Sequence, residues 1–202
     1  MVIWARKTYR VLMGLIFPVL YYFSPNKIPV ISIISFFLLL IVILEVERRR
    51  HPGLWPYIIR RPYGKIFKKE PGRILGTTYF LAASLLSILI FEKGVAILAL
   101  LFSVFGDAAS AIVGVKYGRT RLFKEKSLEG SLAFFIVCFL VALPLISSRK
   151  IMAGVEMPAK LLVILVGSFA ASLIEVLPTR LDDNLTISLF SGAVMEIVKR
   201  VA

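Results

Sequence analysis

Asp107 is a carboxylate in the middle of an apolar run, Phe105-Gly106-Asp107-Ala108-Ala109-Ser110. An ionisable group inside a membrane span is costly and needs a partner, a proton or a function. From Asp107 to the predicted helix end at Tyr117 is about 15 Å at 1.5 Å per residue. At that depth water enters only if the helix opens at Gly106 or Gly114. The small neighbours Ala108, Ala109, Ser110 and Ala111 permit close approach of a helix or a ligand. An aspartate that glues helices together accounts for the same residues.

A second group of residues is Lys126-Ser127-Leu128-Glu129-Gly130. Ser127 is placed to cap the helix that follows. The free N–H groups of a helix start favour phosphate, and a lysine beside them adds a point charge. Glu129 falls in the first turn, where a carboxylate either holds a divalent cation or complements the helix dipole. Lys116, Arg119, Arg121 and Lys124 make the preceding loop cationic. The third group is Glu175 followed by Asp182-Asp183-Asn184-Leu185-Thr186. Adjacent carboxylates repel unless a cation compensates, which suits Mg²⁺. An N-cap at Asp183 or Asn184 with an acidic first turn is the plainer explanation.

The elements that must position these residues are legible in the composition. Of the 202 residues 58% are hydrophobic and only 18% charged, and the mean hydropathy is +0.86. A soluble domain carries about 25% charged residues. The charges cluster, and between them lie apolar runs near the roughly 17–25 residues that cross a bilayer. The runs are uniformly apolar rather than alternating, which predicts helices and excludes a β-barrel. Seven spans are expected: Tyr9–Phe23, Ile28–Val46, Ile74–Phe91, Val95–Tyr117, Leu128–Ile146, Leu161–Leu177 and Leu185–Val198. The first and last are short for a crossing. The fold class is therefore an all-α polytopic bundle, one catalytic domain over 1–202.

The loops divide by charge. The N-terminus and segments 47–73, 116–126 and 178–184 hold 18 of the 25 lysines and arginines. Basic loops face the cytoplasm, so the N-terminus and all three groups above are expected on that side. The net charge of +13 is thus explained by membrane orientation, and nucleic acid is not expected as a partner. Segment 47–73 mixes Trp55, Tyr57 and Tyr63 with Arg60, Arg61 and Lys65, broken by Pro52, Pro56, Pro62 and Pro71. That mixture suits a surface anchor in the headgroup layer, or a lid over a cytoplasmic site. One histidine, His51, and one cysteine, Cys138, exclude a disulfide framework and a two-histidine zinc site. Cys138 reads as a small buried hydrophobe.

Carboxylates, a lysine and helix N-termini gathered on one face describe a site for a nucleoside triphosphate with Mg²⁺. There is no GxxxxGK[ST] or GxGxxG stretch, so soluble kinase machinery is absent.

At these residues the chain resembles the CTP-dependent lipid kinases: dolichol kinase, phytol kinase and the CTP-dependent diacylglycerol kinase. It is similar to a small prokaryotic-type member, over roughly Glu45 to Gly192. The resemblance is carried by Gly106-Asp107 with Ala108-Ala109, then Gly114 and Gly118, then Lys126-Ser127-Leu128-Glu129-Gly130. It continues with Glu175, Leu177-Pro178 and Asp182-Asp183-Asn184-Leu185-Thr186. Glu45 and Glu70 with Gly76-Thr77-Thr78-Tyr79 resemble further family positions. Ser188 stands where the family pattern has proline.

The resemblance implies γ-phosphate transfer from CTP to the hydroxyl of a membrane lipid alcohol, an isoprenoid alcohol or diacylglycerol, at the cytoplasmic face of a cell membrane. Asp107, Lys126 and Asp183 are the expected catalytic group. Lys126, Ser127, Glu129, Gly130, Gly114, Lys116 and Asn184 are expected at the nucleotide, and Asp107, Glu129, Asp182 and Asp183 at Mg²⁺. Which carboxylate takes the hydroxyl proton stays open. Two rivals stand beside this reading. A CDP-lipid synthase also uses CTP and Mg²⁺, but looks different at the phosphate loop, with a Pro-Gly-His-Gly-Gly-like stretch. A non-enzymatic lipid carrier leaves the clustered carboxylates unexplained.

Overall fold

The computed structural model describes residues 2–51, 74–123, 126–179 and 181–202, with side chains from residue 11 onward. The described chain is all-α apart from one small ribbon. Its helices are α1 (Val2–Phe23), α2 (Ile28–Arg50), α3 (Gly76–Ile90), α4 (Lys93–Leu101), α5 (Asp107–Tyr117), α6 (Leu128–Ile146), α7 (Met157–Val176) and α8 (Asp183–Val201). A π-helical turn, Phe102–Gly106, joins α4 to α5, so Lys93–Tyr117 runs as one continuous helix. The expected loop 116–126 contains a two-stranded antiparallel ribbon, β1 (Arg121–Phe123) with β2 (Lys126–Ser127). The lid or anchor expected at 47–73 lies outside the described residues except at its start, where Glu47–Arg50 extend α2 by a turn.

Four stretches are long and apolar enough to cross a membrane: Ile28–Arg50, Lys93–Tyr117, Leu128–Ile146 and Met157–Val176. Val11–Phe23 and Gly76–Ile90 are shorter apolar helices. The seventh expected span lies in α8, which carries Asp183, Glu196, Lys199 and Arg200 and falls outside both sets. The side-chain arrangement has the polarity expected in lipid. Helix α6 buries Phe134, Cys138 and Ala142 and exposes Leu132, Ile136 and Leu140. Helix α7 buries Ile164, Ala171 and Glu175 and exposes Leu161, Leu165, Phe169 and Leu173. Both sets recur at helical spacing, so the polar and small residues face inward and the large apolar ones outward. Such leucine-lined surfaces are a liability in water and the normal state in a bilayer. This is an integral membrane helix bundle.

The Lys93–Tyr117 helix is the centre. Residues Gly94 through Phe102 are buried without interruption. Neither Gly106 nor Gly114 breaks it, contrary to the opening the sequence allowed. At Gly106 a Cβ would lie 2.3 Å from the Phe134 ring, so glycine makes room for that ring. Near this widened turn the Cys138 thiol donates to the Phe102 carbonyl at 3.5 Å. A Cβ on Gly114 would sit 3.2 Å from the Ser127 hydroxyl, and one on Gly130 would sit 2.9 Å from the Ser110 carbonyl. Gly106, Ser110 and Gly114 recur every fourth residue and form the seam along which α6 approaches.

Contacts sort the ends of the helices into two groups. At one end the Tyr22 hydroxyl meets that of Ser148 at 2.9 Å, Lys93 donates to the Ser24 carbonyl at 2.7 Å, and Lys199 pairs with Glu92. At the other end lie Glu45, Leu75, Ser110, Lys126, Glu175 and Asp183. There the Glu45 carboxylate, buried on α2, accepts from the Leu75 backbone N–H and from the Thr78 hydroxyl at 3.1 Å. It caps α3 from a neighbouring helix, where Leu75 offers no cap of its own.

Candidate functional site

The second end holds a charged cluster built from four separate parts of the chain. The Lys126 ammonium pairs with the Glu175 carboxylate and lies 3.2 Å from Asp183 Oδ2. Ser110, on α5, donates its hydroxyl to Glu175 Oε1 at 3.2 Å. Thus β2, the last turn of α7, the first turn of α8 and the middle of α5 converge on one carboxylate and one amine. The Glu175 side chain is only 1% exposed against 45% for Asp183, so the cluster runs from the bundle interior toward its surface.

Glu175 Oε2 is buried and has no hydrogen-bond partner among the described residues. A buried charged acceptor in that state is expensive, and the ammonium on the sister oxygen is what makes it tolerable. Burial on its own lowers the pKa of Lys126. The hydrogen bond that Lys126 donates to Glu175 and the charges of Asp183 and Glu175 outweigh that and hold it above its ordinary value of 10.5. Lys126 is therefore a permanent cation held in position by two anions.

The local elements follow from the sequence. Ser127 caps α6, its hydroxyl accepting from the Gly130 N–H at 3.2 Å. This fixes Lys126 one residue outside the helix. The ribbon is closed by Leu128 N–H donating to the Thr120 carbonyl at 2.9 Å, and by Glu129, whose two oxygens accept from the Thr120 N–H at 3.1 and 3.3 Å. Asp182 caps α8, accepting from the Asn184 N–H at 3.0 Å and its side-chain amide at 2.7 Å. The expected cap at Asp183 or Asn184 is thereby corrected. The capping role falls to Asp182, and Asp183 is left to meet Lys126. Ser188, in place of proline, donates to the Asn184 carbonyl at 2.8 Å within α8.

The expected site residues are therefore brought together in part. Lys126 and Asp183 touch. Asp107 lies on the same helix as Ser110, one turn earlier and toward the bundle interior, and its carbonyl accepts from Ser110 Oγ at 3.3 Å. Glu129 is engaged with Thr120, and Asp182 and Asn184 with each other. Gly114 and Gly130 line the α5–α6 seam beside Ser127. Lys116 is exposed, 5.0 Å over the ring of Tyr117. Among the described residues no three carboxylate, histidine or cysteine side chains gather in a metal-holding group. Sequence reasoning gives no role of their own to Glu175 and Ser110. The cost of a carboxylate near the end of an apolar span is the signal that marks Glu175.

An open apolar groove of about 390 Å³ on the surface of α7 and α8 is lined by Ile174, Leu181, Leu185, Thr186, Leu189 and Phe190. Glu175, Asp183 and Lys126 are not among the residues that line it.

Neither a family model nor a solved structure matches the chain. Among curated proteins it is 28% identical over 134 residues to CTP-dependent diacylglycerol kinase 1 of Saccharomyces cerevisiae. That alignment covers 65% of this chain, and the chain spans about half, 46%, of the yeast protein's length. It is also 23% identical over 190 residues to an uncharacterized protein of Rickettsia prowazekii, covering 91% of this chain and 88% of the relative. The chain is thus a membrane helix bundle with a distant likeness to a lipid kinase.

Proposed function

We propose that this protein is a CTP-dependent lipid kinase that transfers the γ-phosphate of CTP to the hydroxyl of a membrane alcohol, an isoprenoid alcohol or diacylglycerol. The observation that carries the reading is the Lys126 ammonium fixed between Glu175 and Asp183 at the end of a lipid-facing bundle. The choice of CTP rests on the likeness to the yeast enzyme and on the motif resemblance from Gly106 to Thr186.

Phosphoryl transfer is mostly a matter of positioning and charge neutralisation. Lys126 supplies a preorganised positive charge for the triphosphate, and the α6 N-terminus behind Ser127 adds partial positive charge. One ammonium between two carboxylates leaves the cluster with an excess negative charge. A triphosphate would be repelled there unless a divalent cation came with it. A small number of carboxylates rather than a closed cage also suits Mg²⁺, which takes one or two carboxylates and completes its shell with phosphate and water. Asp183, with Asp107 as second carboxylate, would hold Mg²⁺, which when bound offsets phosphate charge. Glu129 and Asp182, engaged locally, support their helix starts. The basic end of the bundle faces the cytoplasm in this reading, where CTP is found.

Radiolabelled CTP supplied to purified protein in lipid distinguishes the rivals. Label from the γ position enters lipid for a kinase. Label from the α position enters lipid for a CDP-lipid synthase, and neither does for a carrier.

A further inference from the structure

Both donors that reach Glu175 fall on the same oxygen. Oε1 accepts from the Lys126 ammonium and, at 3.2 Å, from the Ser110 hydroxyl, while Oε2 accepts from no described residue. Donors arranged only to neutralise a buried carboxylate would be shared over its two oxygens, because a buried acceptor left empty costs free energy. The terminal torsion of a glutamate is soft and roughly two-fold, so a single ammonium leaves the carboxylate free to turn and exchange its oxygens. A second donor on a different element removes that freedom. Ser110, buried on α5, is that donor. Its one hydroxyl proton has two acceptors in reach, Glu175 Oε1 and the Asp107 carbonyl at 3.3 Å. The charged acceptor is the stronger of the two.

Ser110 also meets the helix that Lys126 leads into. A Cβ on Gly130 would lie 2.9 Å from the Ser110 carbonyl, so the first turn of α6 rests on the Ser110 backbone. Its backbone thus spaces α6, and its hydroxyl aims Glu175 on α7. Helices α6 and α7 are fastened to each other by other groups. The Ser172 hydroxyl donates to the Ser131 carbonyl at 2.8 Å, and the Ser131 hydroxyl to the Ser127 carbonyl at 3.1 Å. What the Ser110 hydroxyl adds is the direction in which the carboxylate faces.

We infer that Ser110 is a positioning residue: its hydroxyl fixes the Glu175 carboxylate, and through it the Lys126 ammonium, in the orientation that meets a triphosphate. The triphosphate rests on the kinase reading, whereas the hold on Lys126 rests on the two hydrogen bonds alone. Ser110 itself touches no reacting atom. It acts because a charge stabilises a transition state only where it is already in place.

The test compares the native protein in lipid with Ser110→Ala and with Ser110→Thr, which keeps the hydroxyl. The rate at which acetic anhydride acetylates Lys126 without nucleotide, read by mass spectrometry, reports how firmly the ammonium is held. In Ser110→Ala it should rise by about 3-fold or more, with exposed Lys116 unchanged and the unfolding temperature near the native one. KM for CTP should rise by about 10-fold in the same variant, with KM for the alcohol unmoved. Threonine should restore both. Equal Lys126 acetylation in the native and alanine proteins would overturn the inference. So would an unchanged KM for CTP in an alanine variant that transfers γ-label. A packing role is the result if both KM values and the unfolding temperature shift together and threonine restores none of them, and that also overturns it. Faster acetylation reversed by threonine, in a protein that transfers no γ-label, would uphold the hold on Lys126 and reject the kinase reading.

Discussion

The Lys126 ammonium lies against the Glu175 carboxylate although 49 residues separate them in the chain. One partner precedes α6 and the other ends α7, so the pair forms only when the two helices pack antiparallel. Asp183 and Ser110 bring α8 and α5 to the same point. The ion pair is a joint between helices and, in the proposed function, the seat of the phosphate-binding cation.

The two roles of that joint separate on substitution. Lys126→Ala should reduce turnover by about 10²-fold or more, because a preorganised charge against developing phosphate charge is lost. Glu175→Ala should also destabilise the fold by about 1–3 kcal/mol, since it removes the charged partner of Lys126 and the acceptor of Ser110. Glu175→Gln keeps the shape, so it should fold better than the alanine variant yet bind CTP less tightly, with Lys126 less firmly held. Thermal unfolding in detergent and the KM for CTP measure the two effects.

Asp107→Asn should fold and insert but lose turnover. A structural aspartate survives replacement by its amide, whereas a metal-holding one does not, because the amide lacks the charge. Arg119→Ala, in the neighbouring loop, should change activity far less. Full activity in a folded Asp107→Asn protein would return this residue to helix packing.

The pH response of the joint has a defined sign. Lys126 is held above its ordinary pKa of 10.5. A group whose folded pKa exceeds its unfolded value contributes its full stabilisation below the unfolded value. That contribution is lost as pH rises through the folded one. The stability difference between the native protein and Lys126→Met should therefore stay constant from neutral pH to about 10 and shrink only above it. Unfolding temperatures of the two proteins across an alkaline series give this difference.

Sidedness is open to a chemical probe. A cysteine at position 120 in a Cys138→Ser background should react with an impermeant maleimide only in inside-out vesicles, because 18 of the 25 basic residues lie in the terminus and loops of that side. Labelling in right-side-out vesicles would place the cluster on the outer face, away from CTP.

The sequence by itself determined the helical class, because uniformly apolar runs have no other way to satisfy their backbone in lipid. It also determined the cap at Ser127 and which loops share an end, because capping is local and charged loops do not cross freely. It named Lys126 and Asp183, since each is polar where apolar residues surround it. Packing alone decided the pairing. Asp182 and Asp183 are chemically identical neighbours, but one residue turns a helix by about 100°. That rotation sets Asp182 on its own backbone N–H groups and Asp183 against Lys126. Likewise Gly106 reads as a point of fracture until the Phe134 ring is placed against it. Glu175 is an acid at the end of a span until three helices converge on it. A one-dimensional pattern carries burial and period, whereas contacts between segments dozens of residues apart depend on how the helices rotate and tilt against one another, which only the tertiary structure fixes.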